Sequence, residues 1–471
     1  MDQFYYHAVS LDKDLCKGCT TCLQRCPTGA IRIRNGKARI TDELCISCGE
    51  CIRVCPHHAK LADHDDLASM NDFEYRVALP APSLYTQFHN LDDPNIILNA
   101  LLSMGFDDVF EVSAAAEKVS QASREYIEAH KDEVDGPFIS TACPTMVRLI
   151  SIRFPNLLPQ LLPLNPPIEV AAELALKKAI EKTGLHRDKI GIFFISPCPS
   201  KVAYARAPLT VEHSEVDRVI AIKDVYPLLL AHMKAVYKTE YPDINESGKI
   251  GISWGVRGGE ATGLLRDNYL AADGIENVMK VLEDLEDQKF QELDFVELNA
   301  CNGGCVGGVL TVENAYVAEA RMKKLRKYMP VSVSHLSEED RPAMPNTKEV
   351  EYRPVFNLGS NMLESFARLN KAERIEKQLP GLDCGICGAP NCKALAEDIV
   401  KGEASENDCI HFLRDKLHKI TNDLETMSDK VLDDPKMKSA DSMAIIRECI
   451  DAVKTKLASL DKKSDEKRTK Q

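Results

Sequence analysis

Apolar residues change their spacing along this chain, and the changes mark out its elements. Between about residues 75 and 300, short unbroken apolar runs alternate with stretches whose apolar positions recur every three or four residues. The runs at 76–79, 138–141, 190–195, 249–253 and 293–298 predict strands. Ile-Gly-Ile-Phe-Phe-Ile at 190–195 has no polar face, which predicts a fully buried strand. The stretches 168–182 and 225–237 are amphipathic and predict helices. Such alternation predicts parallel sheets, and ligands gather beyond the carboxyl ends of strands in sheets of that kind.

Further on, the texture changes. Residues 333–378 read as a connector with a helical period at 361–377. Leu413, Leu417, Ile420, Leu424, Met427 and Val431 form an apolar stripe, and Met443, Ile446, Ile450, Val453, Leu457 and Leu460 form a second after Asp433-Asp434-Pro435. Two stripes predict an αα-hairpin or short coiled coil. They either pack on the body or form a surface for homodimerisation or for a redox or signalling partner. The charged end 461–471 is expected to fray.

Composition narrows the classes. A chain of 471 residues is long enough for two to four domains. A net charge of −13 argues against a nucleic-acid surface. No apolar run approaches the roughly 20 residues of a membrane span, and Met-Asp-Gln-Phe-Tyr-Tyr has no signal-peptide character. The expected location is cytoplasmic.

Cysteine is the anomaly. Of 17 cysteines, sixteen fall into four sets of four, leaving Cys449 as a small core filler. In a large cytoplasmic chain this spacing points to metal rather than disulfides. Cys16, Cys19, Cys22 and Cys26-Pro27 are followed by Cys45, Cys48, Cys51 and Cys55-Pro56. This is the bacterial two-cluster ferredoxin pattern, in which the fourth cysteine of each run ligates the other cluster. One 4Fe–4S cubane is therefore assigned to Cys16, Cys19, Cys22 and Cys55, the other to Cys45, Cys48, Cys51 and Cys26. Zinc sites usually show two CxxC pairs instead.

Near the other end, Cys384, Cys387, Cys392 and Cys409 look like a small 4Fe–4S domain of corrinoid and electron-transport proteins, with zinc as the competing occupant. The last set is Cys143, Cys198, Cys301 and Cys305, each following a predicted strand. Paired glycines in Ala-Cys-Asn-Gly-Gly-Cys at 300–305 allow a tight turn and close approach of a bulky ligand.

Three of these segments resemble the motifs of the FeFe hydrogenases: Thr-Ala-Cys-Pro at 141–144, Ser-Pro-Cys-Pro-Ser-Lys at 196–201 and the 300–305 segment. With the ferredoxin-like module, the resemblance covers about residues 1–330. It implies an H-cluster, a 4Fe–4S cubane joined to a diiron subsite with CO, CN and a bridging dithiolate. By similarity Cys143, Cys198, Cys301 and Cys305 hold the cubane, and Cys305 bridges to the diiron unit. Lys201 matches the family lysine that hydrogen-bonds a cyanide, against the plainer reading of a surface lysine. Ser83 matches another cyanide contact.

The departures matter as much. Ala142 stands where catalytic members carry the proton-relay cysteine, and alanine cannot titrate. Ser196 replaces the family methionine, Tyr204 stands at the position aligned with a relay glutamate, and Asn302 replaces the usual proline. Asn165-Pro166-Pro167 occupies the stretch of the lid glutamine. These changes resemble the sensory branch of the family.

The expected architecture is multidomain α/β. A two-cluster ferredoxin domain at 1–72 precedes a two-lobed parallel-sheet H-cluster domain at 73–332, the 333–378 connector, a 4Fe–4S domain at 379–411 and a helical tail at 412–471. The implied function is hydrogen sensing with slow, reversible oxidation of H2, electrons passing through the 4Fe–4S clusters. The alternatives are a metabolic hydrogenase with another proton relay and a hydrogenase-like scaffold lacking the diiron unit.

Overall fold

The structure, a computed structural model, describes residues 6–355 and 361–432 and six single positions between 444 and 455. The chain forms two units, Met1–Phe356 and Asn357–Gln471.

The first unit opens with a small module built from a repeated half. Strand β1 (Val9–Leu11) pairs antiparallel with β4 (Lys60–Ala62), and β2 (Ile31–Arg34) forms a hairpin with β3 (Lys37–Ile40). Each half holds a one-turn helix, Thr21–Gln24 or Glu50–Arg53, entered from a left-handed residue, Thr20 or Gly49. The β1–β4 pairing carries the second Cys-Pro run back beside the first, with Leu11 opposite Lys60.

Two parallel sheets follow. Strands β5 (Tyr75–Pro80), β6 (Asp108–Val109), β8 (Ile190–Ser196) and β9 (Arg218–Ala221) form one in the order β6-β5-β8-β9. Strands β7 (Phe138–Ile139), β10 (Tyr269–Asp273) and β11 (Phe295–Asn299) form the other, with β11 central. Every residue of β8 is buried, as its run of apolar residues predicts. Successive side chains point to opposite faces. Ile192 and Phe194 therefore enter the core beneath helices Val112–His130 and Pro167–Thr183, while Phe193 and Ile195 face Asn95–Ser103 and Ile222–Val236.

One expected strand is a helix. Residues 249–253 form the helix Lys249–Ser253. The cause is tertiary: buried Glu117 accepts the backbone N–H groups of Gly248 at 2.8 Å and Gly251 at 3.2 Å. A carboxylate satisfying the free N–H groups of a helix start favours helix at that point. Gly251 also lies against Ser113 O, where any Cβ would stand 2.0 Å away. Strands β6, β9 and β10 were not anticipated, being short or only half-buried.

The chain beyond residue 330 is tied down. Ser332 Oγ and the N–H groups of Val333 and Ser334 donate to the same Glu117. Asn165 N donates to Met344 O at 2.7 Å, and Ala343 and Met344 enter the main core.

The second unit contains helices Met362–Glu376, Cys392–Lys401 and Ile410–Leu432 around a small core of Ala372, Ile375, Leu379, Leu395 and Ala396. The stripe from Leu413 to Val431 lies on the last helix, with Leu417 43% exposed. All six residues of the second stripe lie outside the described residues; Cys449 is half-buried. Among the described residues no helix is long and apolar enough to cross a membrane.

Candidate functional site

Three of the four cysteine quartets each line a single cavity. Cys16, Cys19, Cys22 and Cys55 line one together with Lys60, and Cys26, Cys45, Cys48 and Cys51 line another together with Ile31. The crossed pairing read from the spacing is the one the fold brings together. Backbone N–H groups of Ala30 and Ala59 donate to Cys26 Sγ and Cys55 Sγ, each at 3.3 Å. Burial pushes the thiols of Cys48 and Cys51 up, and that of Cys45 to about 11. Such thiols give up their protons readily only to a metal. Among the described residues no three His, Cys, Asp or Glu side chains form a group suited to a single metal ion. The quartets surround space instead, which suits a cluster of atoms.

In the second unit, Cys384, Cys387, Cys392 and Cys409 line a cavity of their own. Asp383 accepts the Cys392 N–H at 2.7 Å, and Asn391 caps the helix Cys392–Lys401 through the Ala394 N–H.

The central set sits at three strand ends. Cys143 follows β7 and caps the helix Pro144–Arg153, and Cys198 follows β8 and caps Pro199–Arg206. Cys301 and Cys305 follow β11. A helix N-terminus favours a thiolate, whereas burial opposes it: the thiols of Cys198 and Cys301 are pushed up and that of Cys305 to about 11. Gly303 and Gly304, at φ 79° and 86°, turn the loop, and Gly304 presses on the Val256–Arg257 backbone where a Cβ would meet atoms at 2.7 Å.

One cavity joins Cys143 and Cys305 with Ser83, Ala142, Pro166, Pro167, Lys201 and Trp254. Cys198 and Cys301 do not line it; they are near enough to act electrostatically on the other two. Lys201 Nζ lies 3.8 Å from Cys305 Sγ. Burial works against its charge, but the four surrounding thiolates, Cys305 foremost, hold the ammonium above its usual range. Ser83 is fully buried and its Oγ has no hydrogen-bond partner. Two thiols, an ammonium and a buried hydroxyl around one cavity, with two further thiols close by, fit an anionic cluster with hydrogen-bond-accepting ligands.

Other sequence-derived positions fall elsewhere. Tyr204 is buried in the core with its hydroxyl 2.7 Å from Thr210 Oγ1, and Ser196 Oγ bonds only the Cys198 backbone.

Two residues of the cavity were missed by sequence reasoning. Glu260 and Glu297 also line it, and both are buried. Glu297 accepts N–H groups from Gly258 at 2.8 Å, Ala261 at 2.9 Å and the Asn299 side chain at 2.7 Å. Glu260 receives the Ser140 hydroxyl at 2.6 Å. Burial, reinforced by the neighbouring Glu297, pushes the Glu260 carboxyl well above the usual carboxylate range. The available signal was a lone carboxylate within the apolar run Phe-Val-Glu-Leu.

The model for the iron only hydrogenase large subunit, C-terminal domain, matches residues 74–270 and 261–309, together half of the chain. The chain belongs to the iron-only hydrogenase family. In this hydrogenase-family chain a 4Fe-4S dicluster domain also matches residues 8–56, and an Fe-S cluster domain matches 379–411. Iron hydrogenase 1 of Clostridium pasteurianum is 22% identical over 267 residues, 48% of this chain and 46% of that protein. The NADP-reducing hydrogenase subunit HndD of Solidesulfovibrio fructosivorans is 23% identical over 352 residues, 64% of this chain and 56% of that protein. The chain thus spans about half the length of the curated relatives it matches. A variant of apo FeFe-hydrogenase HydA1 from Chlamydomonas reinhardtii superposes with a TM-score of 0.45 at 14% identity, covering 60% of this chain and 95% of that one.

Proposed function

We propose that this member of the iron-only hydrogenase family reversibly oxidises H2 to protons and electrons at low turnover, in a hydrogen-sensing role. The observation that carries the reading is the shared cavity of Cys143, Cys305, Lys201 and Ser83, with Ala142 in its wall. Cys143, Cys198, Cys301 and Cys305 would hold the cubane of an H-cluster, and Cys305 would also carry the diiron unit. Lys201 and Ser83 would donate to its cyanide nitrogens. When bound, the H-cluster supplies the centre at which H2 is split.

The protein's own part is to move the proton and lead the electrons away. Ala142 cannot accept a proton, and losing a positioned acid–base group costs roughly a hundred- to ten-thousandfold in rate. Ser140 fixes this wall of the cavity, accepting the Ala142 backbone N–H and donating to Glu260. Glu260 and Glu297 are then the carboxylates that take up and release the proton. For electrons, the cavity of Cys26, Cys45, Cys48 and Cys51 is the inner of the two in the N-terminal module. Arg53 Nη2 donates to Gly307 O at 2.8 Å, Gly49 abuts Pro199 and Val309, and Cys48 packs on the main core. The cavity of Cys16, Cys19, Cys22 and Cys55 is the outer one, with Cys19 exposed. The receiver is a redox or signalling protein met in the cytoplasm.

The buried Glu260–Glu297 pair favours a second reading, a metabolic hydrogenase with a different proton relay. Infrared spectroscopy and turnover of the loaded chain separate the cases. Bands of metal-bound CO and CN with slow H2 oxidation support the sensing role. Those bands with fast turnover support the metabolic one, and their absence from matured protein would leave only an iron–sulfur scaffold.

A further inference from the structure

Within the N-terminal module, Lys60 is a charged side chain in an apolar place. It is 2% exposed, and its Nζ has no hydrogen-bond partner. The repeated halves show what is unusual about it. Cys26-Pro27-Thr28-Gly29-Ala30-Ile31 and Cys55-Pro56-His57-His58-Ala59-Lys60 follow the same course. Gly29 and His58 are both left-handed, at φ 62° and 51°, and Ala30 and Ala59 make matching N–H bonds to sulfur. Ile31 and Lys60 therefore hold equivalent places. Ile31 is on the wall of the inner cavity, and Lys60 is on the wall of the outer one.

An ammonium buried without a hydrogen-bond partner is costly unless opposite charge lies close. Sulfur ligands supply that charge. Lys60 lines the outer cavity and not the inner one, whereas near the inner quartet the buried cation acting most on Cys45 is Arg148. Lys17 and His57 line the outer cavity too, but both are exposed, so water screens them.

We propose that Lys60 sets the order of reduction potentials in the module, raising that of the cluster held by Cys16, Cys19, Cys22 and Cys55 above that of its inner neighbour. This rests on the reading that both cavities hold 4Fe–4S clusters. A reduced cluster carries one more negative charge than an oxidised one, so a fixed cation beside it stabilises the reduced form. Electrons leaving the inner cluster are thereby drawn outward to the end of the module where Cys19 meets solvent. Of the three positions at which these segments differ, only Ile31 and Lys60 set a buried apolar side chain against a buried cation.

The test is a redox titration of the full chain followed by electron paramagnetic resonance, with iron content measured alongside. In Lys60→Met one N-terminal midpoint falls and the separation between the two shrinks, while Lys60→Arg keeps the wild-type separation. Should Lys60→Met lose iron, Lys60→Gln provides the same neutralisation with a polar side chain. Unchanged midpoints in a neutral variant of full iron content overturn the role of Lys60. If Cys16→Ser retains the wild-type iron content, the cluster reading itself fails, and the proposal falls with it.

Discussion

Ser140 Oγ donates a 2.6 Å hydrogen bond to Glu260 Oε2, and the same oxygen accepts the backbone N–H of Ala142 at 3.1 Å. The residue that cannot titrate is therefore one hydroxyl away from a carboxyl group that burial pushes well above its usual range. The distance is small in space but large in sequence, and it shapes what substitutions should do.

Restoring a thiol at position 142 should restore the short route. Ala142→Cys is expected to raise the H2 oxidation rate of loaded protein by about a hundredfold or more, with infrared bands little changed. A rate equal to wild type would mean that proton transfer at this position does not limit turnover.

Glu260 should also leave a mark on stability. Its carboxyl is held at about 8 in the folded chain against an ordinary value of 4.5. The folded state binds a proton that the unfolded state releases between those values, so this contribution is complete below 4.5 and is lost as pH rises through about 8. Glu169, pushed up to about 7 by burial, acts in the same direction. Thermal melts of metal-free protein should show Tm falling across this window, and Glu260→Gln should flatten the fall without abolishing it. An equally steep profile in the variant would remove Glu260 as its source.

Glu117 holds three segments together. Its two oxygens accept from Gly248, Gly251, Ser332, Val333 and Ser334. Glu117→Ala strands five donors, and removing one side of a buried charged contact costs about 3–5 kcal/mol. Denaturant unfolding should record a loss of that order, with new protease cleavage near residue 333. Losses below about 1 kcal/mol would place the carboxylate in contact with water.

The C-terminal quartet should bind iron independently of the hydrogen-activating site. Cys409→Ser is expected to remove about four irons and their sulfide per chain while the CO and CN bands persist. Cys449→Ser, outside every quartet, should leave iron unchanged. Zinc recovered from the Cys384–Cys409 cavity of wild-type protein would refute iron there.

Much of the molecule could be read directly because its signals are local. A Cys-Pro after three evenly spaced cysteines, or five apolar residues in unbroken sequence, depends on neighbours a few positions apart. The crossed ligand sets at the N-terminus and the placement of Cys143, Cys198, Cys301 and Cys305 at strand ends were legible for that reason. Residues 249–253 misled because strand propensity there is overridden by Glu117, more than a hundred positions earlier. Glu260 and Glu297 carried no motif; one lies in the short helix Gly259–Gly263 and the other on β11, and only the packing of those elements makes them neighbours. Lys60 is likewise unremarkable in a string of letters. Sequence alone determined the four sets of closely spaced cysteines, since short spacing is a property of the chain. Tertiary structure decided which carboxyl is pushed above its usual range and which lysine lacks a partner, because burial and long-range contact set those charges.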